Sequence, residues 1–93
     1  MSVSDDLAEL IKKNDHQAIQ KIYEENRNGF ILFSSHYNLE REDIIDIYQD
    51  AVIVFIENIQ RGKIEDFTSS VSTYLFGIGK LIIYQKAKQK GRF

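Results

Sequence analysis

The chain has 93 residues, 43% hydrophobic and 28% charged, a globular composition and not that of a disordered chain, sufficient for one compact core. It contains no Cys, which excludes a disulfide framework and thiolate metal sites, and no Pro with only five Gly, which leaves few helix breakers. The net charge of −2 hides a division: residues 1–66 carry all 14 acids with seven bases, whereas 67–93 carry five bases and no acid, so one small domain is expected to face two different partners.

A short first helix is expected over residues 1–14, capped by Ser2 or Ser4, with Asp5 and Asp6 in its first turn where carboxylates suit the helix dipole. Leu7, Leu10 and Ile11 form its apolar stripe. A second helix starts at Asn14 or Asp15 and stops near Tyr37–Asn38. Its apolar positions Ile19, Ile22, Tyr23, Phe30, Phe33 and Tyr37 share a face, interrupted by Gly29.

The third helix runs from about Glu40 to Ile59. Ile44, Tyr48, Ala51, Val52, Phe55 and Ile59 share one arc, and Asp43, Asp46, Asp50 and Glu57 the opposite one. Gly62 suits its C-terminal stop. Residues 60–69 lack periodicity and read as a loop. Ser69 or Ser70 then caps a last helix to about Lys88, with Val71, Leu75, Ile78 and Ile82 as its core stripe. The fold expected is all-α, a compact bundle of three to four helices in a single domain over 1–93.

Two constellations carry chemistry. Carboxylates at 43, 46 and 50 stack along one face of the third helix, and Ile47, Ile53 and Val54 fall on or beside that arc. Apolar residues ringed by acids read as a dock for a basic helical partner. The same carboxylates read alone as a solvated helix face, or as a Mg²⁺ site if Glu24 and Glu25 faced them. In the last helix, Lys80, Lys86, Lys88, Lys90 and Arg92 interleave with Tyr74, Phe76 and Tyr84. Cations that neutralise phosphates beside aromatics that stack on bases suit single-stranded nucleic acid; a solubilising basic tail is the plainer alternative.

Gly77-Ile-Gly79-Lys80 is not a phosphate-binding loop: no Ser or Thr follows the Lys and no strand precedes it. Close packing of two helices is the expected use of those glycines. His16 and His36 stand alone, without a second ligand at metal spacing. No Ser-His-Asp or Cys-His arrangement can be drawn from these residues, and no G-x-S-x-G occurs. The longest apolar run, Ala51 to Ile56, is too short to cross a bilayer, and the acidic N-terminus is unlike a signal peptide. A cytoplasmic protein without membrane insertion is expected.

The order Asp15-x-x-Ala18-x-x-x-Ile22-Tyr23, then Glu42-Asp43-x-x-Asp46-x-x-Gln49-Asp50, then Phe67 ahead of Tyr74-Leu75-Phe76-x-Ile78 resembles conserved region 2 of bacterial sigma-70-type transcription factors of the extracytoplasmic-function group. The resemblance covers about residues 15–90. It implies a small helical domain whose acidic helix docks on the clamp helices of the largest subunit of core RNA polymerase, here through Asp43, Asp46, Gln49, Asp50 and Ile53. It implies that the last helix and the preceding loop engage the promoter −10 element as its strands part, here through Lys63, Thr68, Ser69, Tyr74, Lys80, Tyr84, Lys86, Lys88, Lys90 and Arg92. The resemblance implies a non-enzymatic specificity subunit that needs no cofactor, with an anti-sigma factor as its regulator.

Two positions depart from the family pattern: Tyr74 stands where Trp is usual, and Leu81 where Asn is common. The family's second domain, a helix-turn-helix reading the −35 element, is expected to be absent from these 93 residues. The alternative is a helical protein-interaction module with a sigma-like fold that has lost specific promoter reading, with Leu81 as its sign.

Overall fold

A computed structural model describes residues 3–63 and 70–89. They form four α-helices and one 3₁₀ turn, with no strand among them: α1 (Val3–Lys12), α2 (His16–Ser34), the 3₁₀ turn (Ser35–Tyr37), α3 (Arg41–Gln60) and α4 (Val71–Gln89). The all-α bundle expected from the sequence is the fold observed.

The helix ends follow from local chemistry. Asn14 takes φ 59° after α1, and the N–H groups of Asn14 and Asp15 reach back to the carbonyls of Ile11 and Leu10 at 2.9 Å each, the doubly bonded stop that a left-handed residue permits. Asp15 then opens α2, its Oδ1 accepting the Ala18 N–H at 2.9 Å. Ser4, a candidate cap for α1, lies inside that helix, while Ser2 lies outside the described residues.

Gly62 repeats the stop after α3. At φ 74° it donates to the Ile59 carbonyl at 3.0 Å, and Lys63 donates to that of Asn58 at 2.8 Å. Ser70 caps α4, its Oγ accepting the Thr73 N–H at 3.2 Å. The other candidate cap, Ser69, lies outside the described residues, as does most of the expected 60–69 loop.

The α2 boundary differs from expectation. The α-helix ends at Ser34, and a 3₁₀ turn carries the chain to Tyr37. The N–H and Oγ of Ser35 both donate to the Leu32 carbonyl, which tightens the last turn from i−4 to i−3 bonding. Asn38, at φ 57°, then redirects the chain into α3.

Helix α3 is the centre of the bundle and packs against α1, α2 and α4. All six residues of its expected arc are buried, and Ile47 is buried with them at 1% exposure. Ile47 therefore leaves the acidic face on which the sequence placed it. A helix with neighbours on three sides buries a wider arc than a surface helix does.

Two other stripes shift. In α1, Ala8 and Ile11 are buried while Leu10 is 40% exposed. In α4, the buried line is Leu75, Gly79, Ile83 and Ala87, one residue per turn; Val71, Ile78 and Ile82 pack only at the core's edge.

Gly79 explains the shift in α4. A Cβ there would collide with the ring of Phe30, whereas a Cβ on Gly77 would meet nothing within 4 Å. Phe30 is itself fully buried and ringed by Phe33, Tyr48 and Phe76 at centroid separations of 6.0, 5.3 and 5.6 Å, so its ring has nowhere to move. Close helix packing is thus the use of Gly79 and not of Gly77.

A paired substitution checks this. Replacing Gly by Ala in a helix interior gains about 1 kcal/mol of propensity, and overpacking a filled core costs about 1–3 kcal/mol. Gly77→Ala is expected to raise the urea midpoint and Gly79→Ala to lower it; equal shifts of the same sign would contradict the packing.

Candidate functional site

Helix α3 turns its unburied side outward as one strip. Asp46, Gln49, Asp50 and Ile53 are exposed, Asp43 is half-buried beside them, and Ile53 keeps 53% of its surface in solvent. The spacing 46, 50, 53, 57 places successive members one turn apart. Glu57 is engaged by Arg61 at 3.6 Å. Asp43, Asp46 and Asp50 make no ion pair among the described residues, whose ion pairs are Lys21–Glu25 and Arg61–Glu57. The strip is therefore an unneutralised acidic surface with an exposed aliphatic residue in it. Such surfaces steer and orient a cationic partner.

Among the described residues, no three His, Asp or Glu side chains gather at metal-binding distance. Glu24 and Glu25, the candidate Mg²⁺ partners, are exposed on α2.

Helix α4 divides its basic residues between two sides. Lys80, Tyr84 and Lys88, each four residues from the next, are all exposed and form one line. The Lys80 Nζ lies 5.7 Å from the Tyr84 ring centroid, within cation–π range. Leu81 adjoins this line at 63% exposure.

Tyr84 meets Tyr37 edge-on at 6.1 Å, and Tyr37 in turn lies tilted against His36 at 4.6 Å and Phe33 at 5.9 Å. Desolvation holds the Tyr37 hydroxyl above its ordinary pKa, reinforced by a hydrogen bond with the Tyr84 side chain and opposed by the charge of Lys80. The 3₁₀ turn thus extends the aromatic surface of α4. The sequence does not link Tyr37 to this line: it belongs to another element, 47 positions from Tyr84, and no local pattern joins them.

Lys86 lies elsewhere. With Ile82 and Gln85 it forms one wall of a groove of about 380 Å³ whose other wall is Asp50, Ile53 and Val54 of α3. Tyr74 and Phe76 are half-buried, and Phe76 stacks on Phe33 at 5.2 Å, so the Tyr74-Leu75-Phe76 stretch packs against the core. Lys63 is exposed just past the end of α3. Thr68, Ser69, Lys90 and Arg92 lie outside the described residues.

No helix of the described residues is long and apolar enough to cross a membrane. No family model, no curated protein and no solved structure matches the chain.

Proposed function

We propose that this chain is a sigma-type transcription initiation module that binds core RNA polymerase through α3 and the non-duplex promoter −10 element through α4, without catalysis of its own. The observation that carries the reading is the α3 strip: Asp46, Gln49, Asp50 and Ile53 are exposed together on a helix whose other side is the core. These are residues for which the sigma region 2 resemblance implies a clamp-helix contact. A cytoplasmic location and an anti-sigma partner covering the same strip belong to the same proposal.

The α4 line supplies the second half. Lys80 and Lys88 flank Tyr84, about 12 Å apart along the helix at 1.5 Å per residue, so phosphates can sit at the cations while a base stacks on the ring. Three or four phosphate contacts on single-stranded DNA give a log–log salt slope of roughly −2 to −3. The expected result is salt-sensitive binding of a single-stranded −10 oligonucleotide by fluorescence anisotropy, together with capture of core RNA polymerase. A salt-independent affinity would remove α4 as the DNA face.

The alternative, an interaction module that no longer reads promoters, draws on Leu81. Leu81 is 63% exposed beside the basic line, and its side chain can neither donate nor accept a hydrogen bond to a base edge. Polymerase binding with equal affinity for −10 and scrambled oligonucleotides would select that alternative.

A further inference from the structure

The groove between α3 and α4 has walls of opposite charge. Asp50 stands on the α3 wall with Ile53 and Val54, and Lys86 on the α4 wall with Ile82 and Gln85. Both charged residues are exposed, and they make no ion pair with each other among the described residues. Between them lie aliphatic side chains that the fold leaves uncovered: Ile53 is 53% and Val54 37% exposed. Exposed apolar surface flanked by charges of both signs is the kind of surface that a partner of complementary charge pattern covers.

We propose that this groove seats a mixed-charge amphipathic helix of the protein partner, and that Lys86 is a protein-contacting residue, not a DNA-contacting one. The walls are themselves helices, so the groove between them accepts the side-chain ridge of a third. Helix-in-groove recognition places anchors at i, i+3 or i+4, and i+7. The fitting occupant carries a basic residue toward Asp50, an aliphatic residue over Ile53, Val54 and Ile82, and an acidic residue toward Lys86.

Charge complementarity selects this chemistry over a purely basic helix, which Lys86 would repel, and over nucleic acid, which Asp50 would repel. The groove adjoins the α3 strip through Asp50 and Ile53, so one helix can engage both. The assignment of that helix to core RNA polymerase rests on the function proposed above.

The test compares Lys86→Gln, Val54→Ser and Lys88→Gln with the wild-type chain, each checked for unchanged helicity by circular dichroism. Affinity is measured for core RNA polymerase, and affinity with salt slope for a single-stranded −10 oligonucleotide. Lys86→Gln and Val54→Ser are expected to weaken polymerase binding at least about fivefold and leave the DNA salt slope as in the wild type. Lys88→Gln is expected to leave polymerase binding unchanged and reduce the slope by about 1.

Polymerase binding indifferent to Lys86→Gln and Val54→Ser overturns the groove assignment alone, as does a Lys86→Gln slope reduced like that of Lys88→Gln. An effect seen in self-association by sedimentation, and not in polymerase affinity, makes a second copy of the chain the occupant and also overturns it. A wild-type chain that does not bind polymerase overturns this inference and the proposed function together.

Discussion

Phe30→Ala is expected to lower the unfolding free energy by about 3–5 kcal/mol, the usual cost of emptying a buried aromatic site. Phe30 is fully buried and joins three helices: its ring lies against Tyr48 of α3 and Phe76 of α4, and its edge fills the space that Gly79 leaves open. Collapse into the cavity is hindered because the surrounding rings have partners of their own. Tyr48 donates its hydroxyl to the Tyr23 carbonyl at 2.6 Å, and Phe76 is stacked on Phe33.

A domain of 93 residues has about 5–14 kcal/mol of stability at typical values per residue, so the substitution removes a large fraction of it. Thermal unfolding should shift down by at least about 12 °C. A urea titration showing a loss below about 1 kcal/mol at unchanged m-value would contradict the placement of Phe30 at the junction.

Much of this architecture is legible in the sequence, and the misses have physical causes. The buried arc of α3 is readable because its six apolar positions and its four acids separate cleanly around a 3.6-residue period. Asp15 and Gly62 mark helix ends by chemistry that acts within a few residues. What periodicity does not carry is the width of a buried arc, which depends on how many helices surround it. Ile47 lies in the core because α3 has three neighbours.

Nor does it register small residues. Gly79 and Ala87 share the buried line of α4, yet they add little to a hydrophobic pattern, so the more apolar Ile78 and Ile82 drew the expected stripe toward themselves.

The candidate site divides in the same way. Exposure of Asp46, Gln49 and Asp50 follows from their position opposite the core arc. The separation of Lys86 from Lys88 does not follow from composition, which groups all the bases of residues 67–93. Residues two positions apart on a helix, such as Lys86 and Lys88, are about 200° apart around its axis, so near neighbours in sequence serve different surfaces. The approach of Tyr37 to Tyr84 is a tertiary event with no local signature.

The second large expected effect is on binding. Asp46 and Asp50 are exposed and free of ion pairs among the described residues, and Arg has a higher helix propensity than Asp, so Asp46→Arg and Asp50→Arg leave the fold intact. In an interface that sets basic side chains against Asp46 and Asp50, each change removes an attraction and installs a like-charge contact, which costs several kcal/mol. At about 1.4 kcal/mol per factor of ten, the proposed function predicts that the double variant loses at least about a hundredfold in affinity for core RNA polymerase.

The most direct test is therefore the equilibrium affinity of the wild-type chain and of the Asp46→Arg/Asp50→Arg variant for purified core RNA polymerase at one salt concentration, with helicity verified for both. Measurable wild-type binding, and its loss in the variant at undiminished helicity, is the expected result. Equal affinities for the two proteins, or no binding by the wild type, would contradict it.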